Sequence, residues 1–327
     1  MKKYILYYVF GLCIACFTAC EEDFSSKEYY KYLIYLLSKE DYNVYTEVYP
    51  FSDGKEVAGY FSVACGGSQL NPEEIIVELE TDTVLYERYN LATYDVDETR
   101  WARILSPNKY RIETMRVVFQ ENNPDKYVKV RVTVATEGLS PDSTYFIPLA
   151  IKSVSGGHEV NPDKYNMLFR VTVENEYAEQ RSRTYYLMRG NTLTETLEAE
   201  EGSTISATKL ARALSQNSIR VVAGTERIAN PDEPTLQEVE GTSIVLTVDA
   251  NHQVQITPYK SDFVMVEQFD GDRWNTYERI RNNMVDETTT QFFYLRYRYR
   301  TLKTPATETE LSVWNDWAYV QETLRRQ

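Results

Sequence analysis

The sequence predicts an all-β protein of two domains, and three observations carry that prediction. Apolar and polar residues alternate with a period of two in run after run, the pattern of a strand with one wet face. Val128–Val134 alternates throughout, and Tyr145–Ile151, Leu168–Val173, Thr242–Val248, Val254–Thr257 and Gln291–Arg300 are further strand-like runs. Between runs stand turn clusters: Asn71-Pro72, Asn123-Pro124-Asp125, Ser140-Pro141-Asp142, Gly156-Gly157, Asn161-Pro162-Asp163 and Asn230-Pro231-Asp232. Proline fixes φ and Asn or Asp bonds the turn backbone, so these clusters end strands and reverse the chain. Helical periodicity is confined to two stretches of about two turns, Asp82–Asn90 and Ala207–Leu214.

A chain of 327 residues is long enough for two cores. A new strand, Tyr185–Met188, follows the polar stretch Ala178–Arg183, which places the boundary near residue 177. Residues 30–176 are expected to form one domain and 177–327 the other. Strand spacing of this kind fits a sandwich or a barrel and does not separate the two. The expectation is a sandwich for the first domain and a lipocalin-like barrel for the second, with a jelly-roll sandwich as the alternative. Pro148 predicts that its strand lies at an edge or carries a bulge.

The beginning of the chain has the layout of a bacterial export signal. Lys2 and Lys3 precede the apolar run Tyr4–Phe17, and the small pair Thr18-Ala19 leads into Cys20. Fourteen apolar residues are too few for a spanning helix, which needs about 20. A cysteine after a small residue resembles the lipobox of bacterial lipoproteins, although Phe17 replaces the usual leucine. The acidic run Glu21-Glu22-Asp23 is similar to the surface-export signal of Bacteroidetes lipoproteins. This resemblance implies a signal peptide over 1–19, lipid on Cys20, a tether over 20–29, and exposure at the outer-membrane surface.

The two leader lysines have no compensating acid, so the mature chain is more acidic than the full chain's net charge of −14. Such a field excludes nucleic acid as a partner, because phosphate binding needs basic surface. It equally excludes a polybasic membrane patch. Of four cysteines only Cys65 falls in the folded part, where it reads as a buried, inert thiol. His158 and His252, the only histidines, sit beside turns and read as solvated loop residues.

Several elements, taken in order, resemble the N-terminal immunoglobulin-like domain of unknown function found in Bacteroides surface lipoproteins. They are Leu105-Ser106-Pro107-Asn108-Lys109-Tyr110, the strand Val128–Val134, the element Leu139–Leu149, and the closing Val173, Asn175 and Tyr177. Tyr294-Leu295-Arg296-Tyr297 and Trp314-Asn315-Asp316-Trp317-Ala318 are similar to the domain that commonly follows it. The resemblance implies glycan uptake beside TonB-dependent transporters and glycoside hydrolases. The same N-terminal domain also precedes glycosidase catalytic domains, so it does not separate binder from enzyme.

Sugar recognition needs flat aromatic faces beside hydrogen-bonding side chains. Trp274, Asn275 and Tyr277 lie in the polar turn Asp270–Tyr277, and Trp314 and Trp317 bracket Asn315-Asp316. These are the candidate glycan contacts, with Trp101 as an isolated candidate in the first domain. Trp314, Trp317 and Tyr319 have a competing reading as core aromatics, and Trp101 as sandwich packing. The strand Gln291–Arg300 puts Phe293, Leu295, Tyr297 and Tyr299 on one face and Arg296, Arg298 and Arg300 on the other. Those arginines read either as a ladder for an acidic glycan or as cross-strand partners of Glu and Asp.

No nucleophile elbow, zinc-protease helix or phosphate loop occurs. Asp95-Val96-Asp97-Glu98 resembles an acidic glycosidase motif outside its usual barrel, and Asp270-Gly271-Asp272 is a fragment of a calcium loop. The reading is therefore a lipid-anchored binder of oligosaccharide, without catalysis, cofactor or metal. The alternatives are a glycosidase using two other carboxylates, or a structural accessory of a surface transporter complex.

Overall fold

The computed structural model describes residues 32–39, 41–67, 70–195, 202–231, 234–269, 271, 273–282, 288–306 and 311–327. The expected signal peptide, Cys20, the tether, Asp270 and Asp272 lie outside the described residues. No helix among the described residues is long and apolar enough to cross a membrane.

The first domain is a β-sandwich. Its strands are β1 (Leu33–Leu36), β2 (Val44–Pro50), β3 (Glu56–Cys65), β4 (Ile75–Glu80), β5 (Arg103–Ile104), β6 (Tyr110–Ile112), β7 (Arg116–Phe119), β8 (Tyr127–Ala135), β9 (Tyr145–Val154), β10 (Glu159–Val160) and β11 (Asn166–Glu174). One sheet runs β10-β1-β3-β8-β6 and the other β2-β11-β9-β4-β7, with β5 joining β9. Inward residues alternate as the sequence predicts: Phe61, Val63, Val130, Val132 and Val134 face Val77, Ile147, Leu149, Phe169 and Val171 across one core. The Phe61 and Phe169 rings meet at 6.1 Å across that core.

Pro148 departs from expectation in an instructive way. Its strand, β9, is central, with β11 on one side. On the other side β5 pairs residues 145 and 146, and β4 pairs residues from 150 onward. Leu105 N–H donates to the Phe146 carbonyl, so even-numbered residues of β9 aim their backbone polar groups at that side. Pro148 therefore faces the gap between two partners, where no ladder donor is needed.

The longest helix among the described residues, α1 (Val84–Tyr94), begins two residues after the expected start and packs Leu85 beside Phe146 and Leu168. Cys65 is buried, and burial raises its thiol pKa, as suits an inert side chain. His158 corrects its expected exposure: its side chain is only 12% accessible, 3.3 Å from Glu73 Oε1 and edge-on to Tyr32. His252 is exposed, as expected.

The second domain comprises β12 (Thr184–Leu193), β13 (Thr204–Ala213), β14 (Ser218–Val222), α2 (Leu236–Thr242), β15 (Ser243–Val248), β16 (Val254–Pro258), β17 (Val264–Gln268), β18 (Thr276–Arg281), β19 (Thr289–Thr304), β20 (Val313–Trp314) and β21 (Ala318–Arg326). The sheet order is β16-β15-β14-β13-β12-β21-β19. At 16 residues β19 is long enough to hold β18 and β17 end to end along its far edge. The sheet then curls back on itself. Val254 N–H donates to the Asn275 carbonyl (2.7 Å) and Tyr277 N–H to the His252 carbonyl (2.9 Å). This bridge closes a barrel, so the jelly-roll alternative does not hold.

The expected helix at Ala207–Leu214 is instead the end of β13. Ala, Leu and Arg favour helix, but partners elsewhere in the fold override that preference. Lys209 points into the barrel, where its Nζ lies 2.6 Å and 2.9 Å from the two oxygens of Glu322. Arg212 is buried on the outer side near Asp142 of the first domain. Inside the barrel Tyr297 Oη donates to Glu322 (2.8 Å) and accepts from Gly224 N–H (2.7 Å). Burial lowers the Lys209 pKa and raises that of Tyr297, while Glu322 opposes the first shift and adds to the second.

Between Glu174 and Thr184 the chain passes from one domain's sheets to the other's. Asp142 forms a bidentate pair with Arg220 at 2.5 and 2.7 Å. Gln180 Nε2 donates to the Pro141 and Ser143 carbonyls, and Asn175 Nδ2 to those of Ser215 and Ser218.

The buried ion pair makes a direct prediction. Lys209→Met leaves Glu322 buried without a cation and should lower stability by about 3–5 kcal/mol in urea unfolding. The double variant Lys209→Met, Glu322→Leu should recover most of that loss.

Candidate functional site

The site grows from the two-faced character of β19. Because Phe293, Leu295, Tyr297 and Tyr299 fill the barrel, Arg296, Arg298 and Arg300 must project from its outer wall. Successive members of this row are about 6.7 Å apart, two residues of strand rise. Aromatic side chains from three other segments fill the spaces between them.

Trp314, from β20, and Trp317, from the turn after it, bracket Arg300, whose guanidinium lies 5.3 and 4.7 Å from their rings. Arg300 is also in contact with Met265 Sδ at 3.1 Å, and it has no carboxylate partner among the described residues. Arg298 lies over Trp317 at 4.4 Å and Tyr319 at 5.6 Å. It pairs with Glu267 on β17 at 2.5 Å and donates to Tyr319 Oη at 3.0 Å. Those bonds, to Glu267 first, hold the Arg298 pKa above its usual range. Phe269 stacks parallel to Tyr319 at 6.2 Å. The row continues through Arg296 to Trp274, for a Cβ at Gly271 would lie 3.1 Å from the indole and 3.8 Å from Arg296 Nη1. All three tryptophans of the second domain thus border one outer strip, each partly exposed.

Trp274 also forms one wall of an open cavity of ≈ 360 Å³. Gln253, Gln255, Gln268 and Asp249 line the rest with amides and one carboxylate. Asp249 Oδ1 accepts the Asn251 and Gln253 amides, both at 2.8 Å, which fixes the turn. Trp274 stands where strip and cavity meet, an arrangement suited to stacking and to hydroxyl recognition.

Several sequence candidates have other roles. Tyr277 is corrected: only 3% exposed, it packs inside the barrel against Tyr177 (4.9 Å) and Phe293 (5.1 Å). Burial and Glu176 push its hydroxyl pKa well above the usual range. Asn275 is corrected as well. It is 4% exposed, with φ of 58°, and its side chain donates to the Phe269 carbonyl (2.8 Å) and accepts from Arg296 N–H (2.9 Å). It holds the Trp274 loop to β19, and it borders the same cavity as Trp274 with its side-chain bonds already made within the protein. Trp314, Trp317 and Tyr319 are outer-face residues, which corrects their core reading. Trp101 lies on a first-domain loop, where Nε1 donates to the Asp95 carbonyl (3.1 Å). The structure does not bring it to the strip. Asp97 caps a turn through Thr99, so Asp95–Glu98 is a loop device. No group of three or more metal-binding side chains occurs among the described residues.

Sequence reasoning listed Arg298 and Arg300 but did not join them to Trp314 and Trp317. The available signal was the outward parity of Arg300, two residues before the residue that pairs with Trp314.

A family model for an N-terminal domain matches residues 26–158, and one for a C-terminal domain matches residues 165–325. The chain thus carries an N-terminal and a C-terminal domain of the kinds these two models describe. The C-terminal match includes β11, although that strand is hydrogen-bonded within the first sandwich. Among solved structures, a multidomain protein including DUF1735 from Bacteroides ovatus is similar, with a TM-score of 0.63 and 12% identity, covering 89% of this chain and 93% of that one. A protein of unknown function from Bacteroides ovatus has a TM-score of 0.58 and 12% identity, covering 94% and 93%. An auxiliary nutrient binding protein from Bacteroides thetaiotaomicron has a TM-score of 0.53 and 11% identity, covering 94% of each chain. At these identities the likeness is one of fold. No curated protein matches the sequence.

Asn275 generates a test of the loop geometry. Asn275→Ala removes two buried hydrogen bonds and a residue type that tolerates left-handed φ, and should cost about 2–3 kcal/mol in urea unfolding. Asn275→Gly, which loses both side-chain bonds but keeps a residue type that adopts left-handed φ, should cost less.

Proposed function

We propose that this protein binds oligosaccharide or polysaccharide without cleaving it, through the outer strip of β19 and the cavity beside Trp274. The observation that carries the reading is the gathering of Trp274, Trp317 and Trp314 along one row of guanidinium groups. Indole faces suit the apolar faces of pyranose rings, and Arg, Gln and Asp side chains suit their hydroxyls. The length of the strip suits several sugar rings in sequence, with the cavity taking one end. The name of the nutrient-binding structural neighbour points the same way.

The first domain serves as a spacer in this account. Lipid on Cys20 would hold the chain at the outer-membrane surface, with the acidic residues after it directing export. A TonB-dependent transporter complex is the proposed recipient of the captured glycan. Shallow sites of this kind bind weakly, and dense display on a membrane compensates through avidity.

Affinity gels containing candidate polysaccharides test the reading, with reducing-end release assayed in parallel. A retaining polysaccharide should be found, and no reducing ends should appear. Trp317→Ala and Trp274→Ala should each weaken retention about tenfold, roughly 1.4 kcal/mol. Trp101→Ala should leave it unchanged. Retention that survives both strip variants would remove the strip as the site, and release of reducing ends would replace binding with hydrolysis.

A further inference from the structure

The arginines on the outer face of β19 are not equivalent, and the sheet register shows why. On β17, Glu267 stands opposite Arg298, but Met265 stands opposite Arg300. Opposite charges facing each other across a strand pair attract, and Arg298 is held in that way. Its Nε and Nη2 both donate to Glu267 Oε2, and its Nη1 donates to Tyr319 Oη. Arg300 meets a thioether in the corresponding place. Its Nε and Nη2 lie 3.3 and 3.1 Å from Met265 Sδ, and such a sulfur is a weak acceptor. No oxygen among the described residues accepts a hydrogen bond from the Arg300 side chain.

Two further observations concern the acids nearby. Asp316, in the turn between Trp314 and Trp317, is exposed and makes no ion pair with Arg300. β20 pairs Trp314 with Leu302 and Val313 with Thr304. The connection between β19 and β20 therefore leaves the strand at Thr304, four residues or about 13 Å beyond Arg300.

Arg300 is also fixed in position. It is partly exposed, and its guanidinium lies 5.3 Å from the Trp314 ring and 4.7 Å from the Trp317 ring. Cation–π contacts order a guanidinium without neutralising it. The indoles also keep water from its flanks, and a charge with less water around it attracts an anion more strongly. A fixed guanidinium with free donors matches a carboxylate, which it binds through two parallel hydrogen bonds.

We propose that the sugar seated beside Arg300 is a uronic acid, its ring against the indoles and its carboxylate bonded to the guanidinium. This rests on the reading of the strip as a glycan site and names the class of glycan. The net charge of −14 repels an acidic chain at long range. At physiological ionic strength the Debye length is about 8 Å, so only nearby acids oppose the contact. Glu267 is already engaged by Arg298, and Asp316 points its charge into water.

The test is calorimetric titration of the full chain with acidic polysaccharides built on galacturonate, on glucuronate, and on mannuronate with guluronate. Each is paired with its carboxyl-reduced form, in which the carboxylate becomes a hydroxymethyl group on an unchanged backbone. At least one acidic polysaccharide should bind saturably, about tenfold tighter than its reduced partner. Arg300→Gln should abolish that preference, so that both forms bind alike, and should leave the melting temperature unchanged. Arg300→Lys, which keeps the charge without the fork, should retain part of it. Trp274→Ala should weaken both forms by the same factor. Reduced forms that bind as tightly as the acidic ones would overturn the proposal and leave the strip a site for neutral glycan. A preference that survives Arg300→Gln, or tighter binding of a sulfated derivative of the reduced backbone, would also overturn it. Absence of binding to acidic and reduced forms alike would overturn it too, and the gel survey of neutral polysaccharides then decides the strip separately.

Discussion

The period of two along β19 is the constraint on which both the barrel and its candidate site rest. One set of alternate residues closes the interior around Phe293, Leu295, Tyr297 and Tyr299. The other set is thereby committed to the outside as a row of arginines. A slip of one residue would bury three guanidinium groups and expose four aromatic or aliphatic side chains, so the register is fixed by burial alone. The strip is thus a consequence of how the barrel packs, and its aromatic members only have to arrive beside a row already in place. Each exposed guanidinium–ring contact contributes about 0.5–1 kcal/mol, enough to order the indoles of Trp314 and Trp317 before any ligand arrives. Ordered side chains lose less entropy on binding.

Much of this was legible in the sequence. The alternation in Gln291–Arg300 placed Phe293, Leu295, Tyr297 and Tyr299 inside and Arg296, Arg298 and Arg300 outside, and Asn123-Pro124-Asp125 and Asn161-Pro162-Asp163 fall between strands. What escaped was information held by distant partners. Ala207–Leu214 reads as helix because Lys209 and Arg212 look like solvated charges. Glu322, more than a hundred positions later, and Asp142, in the other domain, are what make those charges tolerable in a buried strand. Tyr277 looked exposed because its neighbours are polar, yet it has the inward parity of β18. Asn275 looked like a ligand contact, but its left-handed backbone and two side-chain bonds show it holding a loop. The outward position of Trp314 and Trp317 depended on a short strand, β20, with only two residues to announce it.

The connecting segment buries Tyr177 and Ala178 in the apolar interior, and polar contacts add to that junction. Asp142 reaches Arg220 with both oxygens, and the side chains of Asn175 and Gln180 tie the connecting segment to backbone on either side. Arg220 also lines a cavity of ≈ 330 Å³ on the second domain, so Asp142 of the first domain helps to fix that wall.

The central claim is that Trp274, Trp314 and Trp317 together form the surface that meets sugar. Fluorine NMR of the protein labelled with 5-fluorotryptophan measures this directly, since its four tryptophans give four resonances. Titration with an oligosaccharide derived from a retained polysaccharide should shift the Trp274, Trp314 and Trp317 resonances together, on one saturation curve, and leave Trp101 in place. A shift confined to Trp101, or saturable binding that leaves all three strip resonances unmoved, would contradict the account.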